Sequence, residues 1–165
     1  MGICIQCDKE ALKESDFCAE CEAREFKKIR GWLFVPAIGL VLSLLSVIVS
    51  FSATLKVVME HYSVLVGGQK GMLVFELVFY GVMFAYTVFV GSLFFRKKRL
   101  LPRFYIGFLL LWIAFHSVDV WLAHQVFDVP YVYDTVSSLV RSVISAAIWI
   151  PYFVVSERVK RTFVR

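Results

Sequence analysis

The sequence predicts an all-α integral membrane protein, a four-transmembrane-helix bundle with a small cysteine-bearing module at its N-terminus. Three observations carry that reading. Of 165 residues, 59% are hydrophobic and only 19% are charged, against about 45–50% and 25% in soluble domains. The mean hydropathy is +0.74. The apolar residues gather into four long runs, and every cysteine precedes the first of them. This composition excludes an ordinary soluble domain, a disordered tail, and a nucleic-acid module whose basic pI would mark a DNA-facing surface.

The runs place the helices at about 31–55, 71–95, 104–124 and 134–156. The first is uncharged; the second and third carry one charge each, Glu76 and Asp119, and the fourth carries Arg141 within its apolar run 135–156. A helix needs about 20 mostly apolar residues to cross a bilayer core. The strands of a membrane barrel would instead alternate in polarity every second residue, and these runs do not. Pro36 falls in the first turns of its helix, where a missing N–H matters little. Pro151, inside the last helix, frees the carbonyl of Ala147 and predicts a bend.

Flanking charges set the orientation. Arg24, Lys27, Lys28 and Arg30 precede the first run. Arg96, Lys97, Lys98, Arg99 and Arg103 separate the second from the third, and Arg158, Lys160, Arg161 and Arg165 follow the fourth. The opposite side holds only Lys56 and Lys70. The positive-inside bias therefore predicts that both termini are cytoplasmic. Trp32, Phe104, Tyr105, Tyr152 and Phe153 fall near the inner interface, and Tyr62, Trp121, Tyr131 and Tyr133 near the outer one. Residues 1–30 are rich in acids, the wrong composition for a secretory signal.

The cysteines read Cys4-x-x-Cys7, ten residues, then Cys18-x-x-Cys21. Two such pairs match a tetrahedral four-thiolate site, each wrapping one side of an ion. Soft thiolates suit Zn²⁺. The arrangement resembles the short zinc-ribbon modules at the N-termini of many bacterial membrane proteins. The resemblance implies a small cytosolic Cys4 zinc ribbon over about residues 1–25, with structural Zn²⁺ held by Cys4, Cys7, Cys18 and Cys21. Those modules often place Gly after the second Cys of each pair, whereas Asp8 and Glu22 stand here. A redox-switched thiol site is a competing reading. Disulfides are disfavoured in a reducing cytoplasm. Four protein ligands leave no open position for metal catalysis. The mixed charge of the intervening loop argues against nucleic acid and for a protein partner. The segment 22–30 reads as a helix running into the first span.

Glu76, His116, Asp119 and Arg141 form an intramembrane polar cluster, all in the outer half of the bilayer by residue counting. A charge at the bilayer centre costs about 2.5–3.5 kcal/mol on insertion scales. The expectation is that Arg141 faces inward and pairs with Asp119, Glu76 or both, with Ser137, Ser138 and Ser145 completing the hydrogen bonds. A polar cavity open to the outer side, or snorkelling of Arg141, are the alternatives. Rows of small residues, Gly39, Ser43, Ser46 and Ser50 on the first helix, Gly81 and Ala85 on the second, and Ser138, Ser142 and Ala146 on the fourth, permit close helix packing within or between chains.

The stretches 94–99, 102–106, 141–153 and 156–160 with Thr162-Phe163, and the opening Gly31-Trp32-Leu33, resemble the bacterial membrane family known as domain of unknown function 2569. The resemblance covers about residues 30–165. It implies a four-helix inner-membrane protein and no particular activity. Two functions from different classes follow from the residues. One is a non-enzymatic interaction or scaffolding component whose ribbon recruits a protein partner. The other is a transporter, channel or small-ligand receptor built on the intramembrane cluster. An enzyme using His116 and Asp119 lacks a nucleophile, an open metal site and a phosphate loop. The lipid bilayer is the expected environment, nucleic acid is not an expected partner, and a homo-oligomer is allowed.

Overall fold

The computed structural model describes residues 2–12, 16–21 and 31–163. The expected linker helix at 22–30 and its four basic residues lie outside these. A 3-10 turn at Gly31–Leu33 leads into α1 (Phe34–His61). Then come α2 (Gly67–Phe95), α3 (Leu101–Phe127), α4 (Tyr133–Val155) and a short α5 (Glu157–Thr162). The first four are membrane-spanning helices by length and apolar composition. At 1.5 Å per residue they run about 35–44 Å, longer than the roughly 30 Å hydrocarbon core.

The helices overrun the apolar runs where polar residues are good helix formers. α1 continues to His61 through Lys56 and Glu60, whose side chains meet at 3.8 Å one turn apart. α2 begins at Gly67, four residues before its apolar run, and the Gln69 side chain accepts a hydrogen bond from the Val66 N–H at 3.0 Å. α3 begins at Leu101 with Pro102 in its first turn and ends at Asp128, whose φ of 52° turns the chain out of the helix. The α2–α3 connection uses Lys97 at φ 55° in the same way. At the start of α4, Thr135 Oγ1 accepts a hydrogen bond from the Val132 N–H at 3.1 Å. Pro151 lies inside α4, which continues to Val155 before Ser156 adopts an extended conformation.

The helices pack in chain order. α1 lies on α2, α2 on α3 and α3 on α4, whereas α1 and α4 barely meet. One buried cluster runs through the bundle, with Val47 from α1, Met83 and Phe94 from α2, Phe108 from α3 and Phe153 from α4. Phe79 of α2 and Phe115 of α3 stack face to face at 3.8 Å. The side chain of Tyr86 from α2 meets α3 at Gly107, where a Cβ would stand 3.0 Å from the Tyr86 hydroxyl. That hydroxyl donates to the Phe104 carbonyl at 3.0 Å. The small pair Gly81 and Ala85 is exposed on the outer face of α2, so it does not join helices within the chain.

Both connections at one end of the bundle, 62–66 and 128–132, carry no basic residue, and this is called the far end. The opposite, basic end carries 96–100 and α5. There α5 folds back onto the bundle, burying Val159 and Phe163 at 0% and 4% exposure. Phe163 meets the edge of Phe94 at 5.5 Å. Exposed apolar residues such as Val41, Leu45, Val82, Leu110 and Ile148 cover the outside of the bundle, as a lipid-facing surface requires.

Candidate metal centre and intramembrane cleft

The four cysteines converge. Their Sγ atoms all lie within 4.8 Å of one another, with Cys7 at 3.3 Å from Cys18 and 3.4 Å from Cys21. Backbone hydrogen bonds build the hairpin that brings them together. Cys4 N–H donates to Lys9 O at 2.8 Å, Ile5 N–H to Asp16 O at 3.1 Å and Leu12 N–H to Phe17 O at 3.1 Å. An antiparallel bridge joins Ile3 to Glu10. Asp8 holds φ 55° after the first pair, performing the left-handed turn that Gly commonly makes. Glu22 falls outside the described residues. Lys9 and Glu20 close the hairpin with a 2.7 Å ion pair, which raises the lysine and lowers the carboxylate in pKa.

The donor set fits a tetrahedral ion. Zn–S bonds of about 2.3 Å imply sulfur separations of about 3.8 Å, inside the observed spread. Cys4 and Cys18 are buried, at 1% and 5% exposure. Burial raises the Cys4 thiol, but backbone hydrogen bonds from Cys18 and Gln6 and the neighbouring thiols outweigh it and hold it at about 6. Cys18 is lowered first by a backbone hydrogen bond from Cys21. Cys21 is pushed up to about 12, mainly by hydrogen bonding with Cys7 and then Cys18. The thiols are shifted in opposite directions, Cys4 and Cys18 down and Cys7 and Cys21 up, and a divalent cation would favour removal of their protons. The four cysteines could hold a metal. A bound metal would crosslink a segment too short to build a core.

The membrane bundle holds a partly open cavity of about 560 Å³ between α1 and α4, two helices that barely meet. α1 contributes Gly39, Ser43, Ser46 and Ser50, and α4 contributes Ser138, Arg141, Ser142 and Ser145. α3 closes the back with Tyr105, Phe108, Trp112, His116 and Asp119, and α2 adds Tyr80. The α1 row and the Ser138 and Ser142 part of the α4 row, expected to pack helices, thus line opposite walls of a cleft.

The expected charge pairing is corrected. Among the described residues, no nitrogen–oxygen contact within 4.0 Å joins Arg141 to Asp119 or Glu76. The reason is the gap itself. Arg141 is exposed along the cavity wall, so its guanidinium is not packed into a dry core where desolvation would demand a partner. Glu76 lies outside the cavity lining and accepts a 3.0 Å hydrogen bond from Thr54 of α1. His116 stacks on Trp112 at 5.1 Å. Ser137 also lies off the lining, its hydroxyl donating to Asp134 O at 3.0 Å. Sequence reasoning missed Ser142, Tyr80 and Trp112 as cleft residues. The i, i+3, i+7 spacing of Ser138, Arg141 and Ser145 was the available signal for the first.

The family model described as "Protein of unknown function (DUF2569)" matches residues 26–164. The chain belongs to this family. Inner membrane protein YdgK of Escherichia coli (strain K12) is 31% identical over 150 residues, covering 84% of this chain and 94% of the relative. No solved structure matches the chain. All the cleft residues lie in the DUF2569 portion, whereas the four cysteines precede it. The cleft is thus built wholly within the family region, and the cysteine hairpin is an addition in front of it.

Proposed function

We propose that this chain is a non-enzymatic inner-membrane protein that binds a small polar ligand in the cleft between α1 and α4. The observation that carries the reading is Arg141, placed on the wall of a 560 Å³ cavity with no ion-pair partner among the described residues. Cavities of about 300–1,000 Å³ suit small-molecule ligands, and a few convergent polar groups set what they accept. An ionisable residue kept within a membrane bundle costs stability, and one that lines a cavity is accounted for by what it contacts there. The same reading puts the basic end and both termini in the cytosol by the positive-inside rule. It puts the polar part of the cleft toward the outer leaflet. Mass spectrometry of the purified protein tests the idea. The wild type should carry a non-protein species that bears an anionic group, and Arg141→Gln should lose it. Identical spectra for the two proteins would end this reading.

A second role is supported by the N-terminal hairpin. Ile3 and Ile5 are 69% and 71% exposed beside the cysteine centre. On this reading the zinc-held hairpin is a cytosolic contact surface for a protein partner. Deleting residues 1–25 should leave membrane insertion intact and abolish co-purification of that partner. Retention of every partner by the truncated chain would remove this role.

A further inference from the structure

The cleft differs along its length. Following α3 from the basic end, the lining passes through Tyr105, Phe108 and Trp112 before reaching His116 and Asp119. On α4 it passes from Trp149 through Ser145 to Arg141 and Ser138. The aromatic stretch therefore lies toward the basic end and the polar stretch toward the far end. From Tyr105 to Asp119 the rise is about 21 Å at 1.5 Å per residue, a large part of the bilayer core. α1 and α4 barely meet, and the partly open cavity that both line lies between them, so a route from the lipid side runs between these two helices.

The polar stretch also carries both signs of charge. Arg141 on α4 and Asp119 on α3 face one cavity without forming an ion pair. A guanidinium flanked by hydroxyls matches a phosphate, and a free carboxylate matches an ammonium. A ligand bearing both groups satisfies both walls, whereas a simple anion leaves Asp119 opposed to it. Trp112 adds an indole N–H, buried and without a protein partner, at the join of the polar and aromatic stretches.

We infer that the cleft takes a zwitterionic phospholipid of the phosphoethanolamine type, entering from the side between α1 and α4. Its phosphate sits at Arg141 with the serines, its ammonium at Asp119, and its chains lie along the aromatic stretch and out through the gap. The inference rests on the proposed cleft function and adds the class and source of the ligand.

Native mass spectrometry of the full chain in detergent micelles tests it, using phosphatidylethanolamine, phosphatidylglycerol, phosphatidylcholine and soluble phosphoethanolamine as probes. Phosphatidylethanolamine should be retained about tenfold or more tightly than the other two lipids, the size of one charge-assisted contact. Asp119→Asn should erase that preference. Arg141→Gln should weaken phosphatidylethanolamine and phosphatidylglycerol alike, and Arg141→Lys should restore part of the loss, which a folding defect would not do. Equal retention of the lipids, unaltered by Asp119→Asn, overturns the zwitterion. Soluble phosphoethanolamine binding as tightly as the lipid overturns the lipid source but leaves the cleft function standing. A dimer that excludes every lipid assigns the gap to a second copy and overturns the inference. No response of any probe to Arg141→Gln removes the cleft function as well.

Discussion

Thr54 donates a 3.0 Å hydrogen bond to Glu76, tying α1 to α2 inside the membrane-spanning bundle. Thr54 is buried and Glu76 half-buried, so the bond is partly shielded. Hydrogen bonds between membrane helices contribute about 0.6 kcal/mol on average and up to roughly 1.7. Thr54→Val keeps the shape of the side chain and removes the donor. It should lower stability by about 1 kcal/mol in a reversible unfolding titration in mixed micelles. Glu76→Gln, which still offers a carbonyl oxygen, should cost less. If Thr54→Val proved neutral while Glu76→Gln was severe, the bond would not be what holds this contact.

The cysteine centre makes a prediction about metal and pH together. The protein should purify with about one zinc per chain, measured by plasma mass spectrometry, and Cys18→Ser should reduce it to background. The metal-bound centre holds no thiol protons, whereas the metal-free centre retains some, that of Cys21 up to about 12. Protons are therefore released on binding, and affinity falls as pH falls. The loss should steepen below about 6, where Cys4 also takes up a proton. Helical circular dichroism should persist after chelation, because the membrane helices do not depend on the ion. Zinc content independent of Cys18 would refute the site.

Much of this architecture was legible in the residues. Four apolar runs located four helices because lipid imposes length and polarity directly on the chain. The spacing of Cys4, Cys7, Cys18 and Cys21 pointed to four thiols that the fold brings together, because ligand geometry acts over a short stretch. The cleft was legible only as an alternative to a closed, charge-paired core. Ser43, Ser46 and Ser50 look the same whether they pack against a helix or line a cavity, and only the separation of α1 from α4 decides it. The pairing of Arg141 failed for the same reason, since it assumed a closed bundle. The far-end helix extensions were missed because Lys56, Glu60 and Lys70 end an apolar run without ending a helix.

The close approach of α2 and α3 at Gly107 gives a sharper test of packing. A Cβ there would stand 3.0 Å from the Tyr86 hydroxyl, which already donates to Phe104 O. Gly107→Ala should push the hydroxyl away and cost about 1 kcal/mol through the weakened bond. Tyr86→Phe removes both the bond and the obstacle. The double variant should therefore be less destabilised than the sum of the two single ones, as contacting residues in a double-mutant cycle are. Strict additivity would show that the two positions do not meet.

The last prediction concerns α5, a basic six-residue helix that composition alone would leave as a tail. Too short to be stable by itself, it depends on the i, i+4 pair Val159 and Phe163 anchoring it to the bundle beside Phe94. Replacing a buried Phe by Ala typically costs about 3–5 kcal/mol. Here that cost falls on local docking, because the four long helices hold one another independently of α5. Phe163→Ala should leave the melting of the membrane helices nearly unchanged. It should raise trypsin cleavage at Lys160 by about a hundredfold, the population change expected for roughly 3 kcal/mol. Phe163→Leu, which retains most of the apolar contact, should remain resistant. Equal cleavage of wild type and Phe163→Ala would mean that this contact does not hold the helix in place.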